Sequence, residues 1–477
     1  MVWTAFQKYA TIGVQFISGI ILARLLTPYD YGCIGMLSIF MLLADTFIYG
    51  GFGSALIQKK RPTQDDYSTV FWWNMVMALL MYIVLFFSAP TIAKFYDIPL
   101  LCSVLRVNGI VLFIHAFNLV QSNQLQKQLN FKAISIVSFT SSVFSLGITI
   151  WMAYSGFGVW ALVSQNLIAA AIPSIIFWFY LKWRPSLLFS WKSFRELFGF
   201  GFYMLLSSLI NTFGQQIQGL LIGKVYNPST MGYYSKALST ESLASQSISS
   251  VMTQVTYPLY AEAQNNKQLL GNMIKRITMT ISFITFPLLF LLILLAKPIF
   301  VLLYSERWLA SVPYFQVLCF VGMITCMQSA NLQAIAAIGK SKTMFVWTVI
   351  KRSVGIGVVV LGLFLYGMKG LLSGVVIQNT FAYFVNIGLV SKYIGYKWTQ
   401  QIKDFMPVGI AALIAAMISY GSGLILHQTM YLDAIIKLGS YLLIYLGWSV
   451  LFRPAAYNYF ISIMPSKFRF WEKIKRQ

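Results

Sequence analysis

Apolar runs of about twenty residues, each long enough to cross a hydrocarbon core of roughly 30 Å as a helix, recur along nearly the whole chain. Inside a bilayer no water is available to the backbone N–H and C=O groups, so runs of this length satisfy them internally as helices. The composition agrees: 58% of the 477 residues are hydrophobic and 10% are charged, far from the balance of a soluble domain. Reading between polar punctuation predicts about fourteen spans, near 5–26, 31–57, 68–92, 100–122, 134–154, 157–181, 199–225, 229–257, 277–296, 311–335, 343–366, 369–392, 407–427 and 434–452. The expected class is an all-α integral membrane protein. The first run keeps a polar face and is followed by no small-residue cleavage site, so it reads as a retained helix and not as a signal peptide.

The formal net charge is +23, and its placement orients the chain. With the N-terminus inside, cytoplasmic segments hold about 24 of the 35 Lys and Arg residues, outer segments about 7 and the spans about 4. The opposite orientation inverts that bias, so both termini are expected in the cytoplasm. Basic clusters at 58–62 (QKKRP), 182–195 (KWRPSLLFSWKSFR) and 467–477 (KFRFWEKIKRQ) suit anionic inner-leaflet lipid as a partner. So basic a chain could also bind nucleic acid, but Lys and Arg threaded between spans make neither a groove nor a stripe, and no nucleic-acid partner is expected. Cys33, Cys102, Cys319 and Cys326 contain no CxxC pair and read as small buried hydrophobes. His115 and His427 are isolated in sequence, so no metal site can be argued.

The chain is written twice. QFISGIILARLLTPYDYG (15–32) lies over QQIQGLLIGKVYNPSTMG (215–232) without a gap, with Gln15 on Gln215, Gly19 on Gly219, Arg24 opposite Lys224, Pro28 on Pro228 and Gly32 on Gly232. A later landmark, GFGVWALVSQN (156–166), resembles GMKGLLSGVVIQN (367–379). An even number of spans separates the copies, so the repeats are parallel and related by an axis along the membrane normal. The expected organisation is a six-helix N-terminal lobe (1–181), an amphipathic interfacial linker (182–198), a six-helix C-terminal lobe (199–393), an extra helix pair (407–453) and a basic cytoplasmic tail (454–477). In the linker, Trp191, Phe194 and Phe198 alternate with Lys192, Arg195 and Glu196 at helical spacing, which predicts a short helix on the cytoplasmic interface that ties the lobes while letting them tilt.

Polarity within the spans carries the functional expectation. In the first helix Lys8, Thr11, Gln15 and Ser18 share a face; in the seventh, Ser208, Asn211, Gln215 and Gln218 occupy the corresponding positions. In the eighth, Ser235, Ser239, Ser242, Gln246, Ser249 and Thr253 step by four and three, flanked by Lys236, Glu241 and Ser245. A lone hydroxyl or amide could merely link helices at about 0.6 kcal/mol; six in register predict a hydrated cavity between the lobes. Asp45 and Glu241 fall about 18 to 21 Å along their helices, near mid-depth. Against lipid each would cost about 2.5 to 3.5 kcal/mol, so both should face inward. Each is either a static partner of a base such as Lys236 or Arg106, a neutral hydrogen-bonding acid, or a carboxylate that couples transport to H+ or Na+. Arg24, Arg106, Lys236, Lys351 and Arg352 are the bases expected at the cavity, although Arg24 and Arg106 could equally snorkel to headgroups. An excess of bases over deep acids implies an anionic substrate, and phosphate is the anion such groups hold best.

Several landmarks then fall in order: IILARLLTPYDYG (20–32), GFGSALIQKK (51–60), DDYSTVFWWN (65–74), LNFKAIS (129–135), GFGVWALVSQ (156–165), KWRPSL (182–187), MGYYSKA (231–237) and ERWLASVPYFQVLCFVGM (306–323). In these the chain resembles the polysaccharide exporters of the multidrug/oligosaccharidyl-lipid/polysaccharide superfamily, the Wzx-type flippases, and within them the colanic and teichuronic acid exporter branch. The resemblance implies a MATE-like, V-shaped, two-lobed transporter. It would move an undecaprenyl-diphosphate-linked oligosaccharide from the inner to the outer leaflet of a bacterial cytoplasmic membrane by ion-driven alternating access, for surface polysaccharides such as O-antigen, lipopolysaccharide or exopolysaccharide. It also implies that basic residues, here Arg24 in LARLL and Lys236 in YYSKA, meet the diphosphate, and that a polymerase and co-polymerase act nearby. Two other functions fit less well. A drug exporter of the same superfamily would share the fold. A glycan polymerase would need convergent acids or bases on an ordered extramembrane loop, and no connection exceeds about twenty residues, so an enzyme is not expected.

Overall fold

The computed structural model describes residues 2–49, 51–59, 61–426 and 429–463. His427 and residues 464–477 of the basic tail lie outside them, as do the side chains of Lys8, Thr11 and Thr253. Regular structure among the described residues is helical throughout. In chain order the helices are α1 (Val2–Leu25), α2 (Pro28–Tyr49), α3 (Phe52–Gln58), α4 (Gln64–Tyr96), α5 (Leu100–Asn108), α6 (Val111–Lys127), α7 (Phe131–Tyr154), α8 (Val159–Tyr180), α9 (Trp191–Val225), α10 (Pro228–Glu262), α11 (Lys267–Leu294), α12 (Ala296–Tyr304), a 3-10 turn (Glu306–Ser311), α13 (Val312–Ala337), α14 (Ser341–Ile394), α15 (Trp398–Leu426), α16 (Met430–Phe452) and α17 (Ala455–Ile463). They group into two compact units that divide inside α10, between Ser235 and Lys236.

Ten described helices are long and apolar enough to cross a membrane, or eleven if the bent α9 counts as one span. The difference from fourteen has physical causes. In α14 two expected spans are one element, which folds back at Tyr366–Gly367, where Gly367 takes a positive φ of 59°; Gly362 and Gly370 face each other across the turn. α10 carries a polar stripe that dilutes its apolar character, and in α1 the described apolar stretch is the shorter Ile12–Leu25.

Local rules set where the helices begin. Each copy of the repeated hairpin turns through a polar residue at 27 or 227, followed by proline, whose fixed φ suits a first helical position. Asp30 Oδ2 accepts from Thr27 N at 2.9 Å and from Thr27 Oγ1 at 2.7 Å. In the second copy Asn227 Oδ1 accepts from Thr230 N at 2.8 Å and from Thr230 Oγ1 at 2.9 Å. The acceptor has moved from the fourth residue of the turn to the first, yet the orphan donors of the helix start are satisfied in both. At α4 a capping box joins Thr63 and Asp66.

The linker is fastened to the first unit. Residues 182–190 run along the start of α4: Gln64 Nε2 donates to Arg184 O at 2.7 Å, Trp72 Nε1 to Ser186 O at 2.8 Å, and Ser190 N to Thr69 Oγ1 at 3.1 Å. Phe194 then packs on Trp73 and Phe52 at 4.8 and 5.6 Å between centroids, and Phe198 on Phe52 at 6.1 Å. Lys59 closes the junction by donating to Asp66 and Glu196, both at 3.0 Å. Desolvation would lower the pKa of Lys59, but these two hydrogen bonds and their charges outweigh it and raise the pKa above the usual lysine value. The amphipathic spacing therefore seats an aromatic face on α3 and α4. α9 bends by 53° between its Trp191–Gly199 and Met204–Val225 pieces.

Candidate functional site

In the first unit, Arg24 is exposed at the last turn of α1, and Gln15 is exposed on the same helix. Ser18 is buried and accepts a hydrogen bond from Gln165 Nε2 of α8 at 3.0 Å. Arg106 lies on α5 with its guanidinium 4.2 Å from the Phe86 ring and its Nε donating to Phe86 O at 3.3 Å, so it is held by α4. On α9, Gln215 is exposed, Asn211 donates to Ser207 O at 3.0 Å, and Gln218 accepts from Tyr234 Oη at 3.3 Å. The neighbours of that stripe make the bonds to α2: Thr212 meets Thr46 at 3.2 Å, and Gln216 accepts from Ser38 at 3.4 Å. Thr212 and Gln216 were not in the predicted stripe, although they lie one position beyond its members on the same helix.

Asp45 has a partner that sequence spacing could not reveal. Its Oδ1 lies 2.8 Å from Nδ1 of His115, seventy positions away on α6. The Tyr49 ring, one turn on from Asp45, packs on the imidazole at 5.5 Å between centroids, tilted by 54°.

In the second unit, α10 separates what the sequence grouped. Ser239 and Gln246 are exposed and Ser242 is half-buried; the two hydroxyls bond back to Lys236 O at 3.0 Å and Ser239 O at 2.9 Å. Lys236 is 3% exposed, with its ammonium 4.1 Å from the Tyr304 ring and 5.9 Å from Trp308. Glu241 is 6% exposed, and its Oε1 has no hydrogen-bond partner. Five residues of helix carry Lys236 and Glu241 about 140° apart around α10, so they cannot pair; no base among the described residues is in ion-pair range of Glu241. Its carboxyl instead rests on Gly322 of α13, where a Cβ would lie 2.0 Å from Oε1. Burial of this kind disfavours the charged form of a carboxyl that no base pairs.

Lys351 is also buried and organises an amide chain within the second unit. Its Nζ donates to Asn386 Oδ1 at 2.7 Å, Asn386 Nδ2 donates to Gln328 Oε1 at 3.2 Å, and Gln328 Nε2 donates to Asn379 O at 3.1 Å. Arg352 is half-buried beside it. The structure thus brings together Asp45 with His115 and Lys351 with Asn386, but not Lys236 with Glu241. His115, Asn386 and Gln328 are the polar participants that the sequence reading missed. Such groups inside spans are expensive and are retained for pairing or for a pathway.

Ten apolar spans among the described residues make the chain a multi-pass membrane protein. The chain belongs to the family described as Polysaccharide biosynthesis protein, which it matches over residues 21–313, among the polysaccharide exporters of the multidrug/oligosaccharidyl-lipid/polysaccharide superfamily. Among particular relatives it is similar to the teichuronic acid biosynthesis protein TuaB of Bacillus subtilis (strain 168), with 27% identity over 347 residues and 72% of each chain covered. It is also similar to the succinoglycan biosynthesis transport protein ExoT of Rhizobium meliloti (strain 1021), with 25% identity covering 76% of this chain and 73% of that one. In fold it resembles the lipid II flippase MurJ in an inward closed conformation, with a TM-score of 0.73 and 16% identity, covering 95% of this chain and 99% of that one. The chain is a transporter and not an enzyme.

Proposed function

We propose that the chain flips a polyprenyl-diphosphate-linked oligosaccharide from the cytoplasmic to the outer leaflet of a bacterial cytoplasmic membrane, by alternating access, with both termini in the cytoplasm. The observation that carries this reading is the surplus of intramembrane bases over acids in a polysaccharide-biosynthesis transporter. Arg24, Lys236, Lys351 and Arg352 outnumber the acids Asp45 and Glu241, one of which faces a histidine while the other leaves Oε1 without a hydrogen-bond partner. A diphosphate is the part of a lipid-linked glycan that such groups attract, and guanidinium and ammonium groups hold it as charge-assisted donors. The exposed Gln15 of α1 and Gln215 of α9 would accompany the sugar through shallow contacts, and the prenyl tail would stay among lipid. Names of relatives support the cargo class: TuaB is named for teichuronic acid biosynthesis, and MurJ, of the same fold, is named a lipid II flippase. Depletion of the chain followed by mass spectrometry of membrane lipids tests the reading. A polyprenyl-diphosphate glycan should pile up; an unchanged lipid-linked pool would refute it.

A further inference from the structure

We infer that Asp45 and His115 form a proton-binding pair, the site at which transport is linked to a proton gradient. The inference rests on the proposed reading of the chain as a gradient-driven transporter and adds the ion and its ligands. Asp45 Oδ1 of α2 and His115 Nδ1 of α6 are 2.8 Å apart, and their side chains are 20% and 28% exposed. Hard cations such as Na+ take sets of oxygen ligands. Here an imidazole nitrogen occupies one oxygen of the carboxylate. The chemistry present binds a proton, because imidazole is the side chain that gains and loses one near neutral pH.

In the less protonated form, His115 is neutral, Nδ1–H donates to the Asp45 carboxylate, and the pair carries one negative charge. A proton taken from water at His115 Nε2 makes an imidazolium, and the pair becomes a neutral ion pair without any bond to Asp45 being broken. Loss of that proton from Nε2 restores the charge. A site whose net charge changes by one while it stays between two helices biases whichever arrangement of those helices solvates it better, and that is the requirement for coupling.

The surrounding groups do not provide an alternative partner. Tyr49 covers the imidazole from α2, and Thr46 and Thr212 are bonded to each other. Charged groups on the helices packed against α2 and α6 stand elsewhere: Asp66 holds Lys59, Lys224 lies 4.0 Å from Asp97, Lys127 donates to the carbonyls of Leu56 and Lys59, and Arg106 lies on Phe86. Asp65 and Lys94 of α4, Lys132 of α7, and Lys192, Arg195 and Glu196 of α9 are exposed near helix ends.

The chain has two histidines, so in a His427→Gln background a histidine-selective label reports His115 alone. Nuclear magnetic resonance of this protein in lipid nanodiscs should show His115 Nδ1–H hydrogen-bonded to a carboxylate, a signature unaffected by exchanging sodium for potassium and lost in Asp45→Asn. A signature that survives Asp45→Asn would overturn the pair, and one displaced by sodium would overturn the proton assignment. In cells that depend on the chain for surface polysaccharide, Asp45→Asn and His115→Gln should each lower output about tenfold or more at wild-type membrane abundance. Normal output from folded His115→Gln protein, verified by its thermal midpoint in detergent, would overturn the coupling role. A pair that behaves as described, in a chain whose depletion changes no surface polysaccharide, would count against the proposed cargo and leave the proton site standing.

Discussion

Gly32 lies against the backbone carbonyl of Pro228 so closely that a Cβ on it would be 1.8 Å from the oxygen, and Gly232 lies against the carbonyl of Pro28 at the same 1.8 Å. The two copies of the repeated hairpin meet reciprocally, glycine of one on proline of the other, as a two-fold relation requires. The repeated proline thus starts a helix in each copy, and the repeated glycine lets each helix touch the other copy's turn. Gly32→Ala and Gly232→Ala should each destabilise the protein by about 1 to 3 kcal/mol, the usual cost of overpacking. Gly147→Ala, whose Cβ would meet nothing within 4 Å, should not. Thermal unfolding midpoints in detergent compare the three, and equal midpoints for all would contradict the close approach.

Glu241 packs on Gly322 with its Oε1 unbonded, an arrangement that suits a neutral side chain. Glu241→Gln preserves shape and neutrality, so it should leave stability within about 1 kcal/mol of the parent, whereas Gly322→Ala pushes a methyl into the carboxyl and should cost about 1 to 3 kcal/mol. If Glu241→Gln unfolds the protein as readily as Gly322→Ala does, Glu241 is ionised and paired.

The linker junction predicts an asymmetry. Lys59 is shared by a fully buried carboxylate, Asp66, and an exposed one, Glu196, whose side chain is 56% exposed. Lys59→Met strands the buried charge and should cost about 3 kcal/mol or more, whereas Glu196→Gln removes a surface partner worth about 0 to 1 kcal/mol. Limited proteolysis across residues 182–190 should accelerate in the first variant and not in the second. The reverse order would show that the strap is held from its exposed end.

Much of this architecture was legible because a bilayer leaves the chain few choices. Apolar run length marked the spans, and the gapless match of 15–32 to 215–232 marked the duplication. Contacts made across helices were not legible. The His115 partner of Asp45 and the Asn386 partner of Lys351 lie 70 and 35 positions away, and no periodicity within one helix encodes which neighbour it will face. Lys236 and Glu241 appeared together because they flank one stripe, yet a turn of 100° per residue places them on different sides of α10. The spacing of Trp191, Phe194 and Phe198 predicts an apolar face, but which surface it covers depends on Phe52 and Trp73, far away in sequence.

The cationic groups carry a separate prediction. Arg24→Ala, and Lys236→Met, which keeps contact with Tyr304 while removing the charge, should each cut surface polysaccharide by about tenfold or more, one lost charge-assisted contact, with membrane insertion intact. Normal polysaccharide from both variants would remove these residues from the transport path.

The most direct measurement is sidedness. Lipid-linked glycan, extracted from cells depleted of the chain, is placed in the inner leaflet of liposomes with and without the purified protein, and a membrane-impermeant glycosidase is added outside. The glycan should become cleavable in proportion to the protein present, and faster when a pH gradient is imposed. Glycan that stays protected at every protein density, with the liposomes intact and the protein folded, would contradict the account.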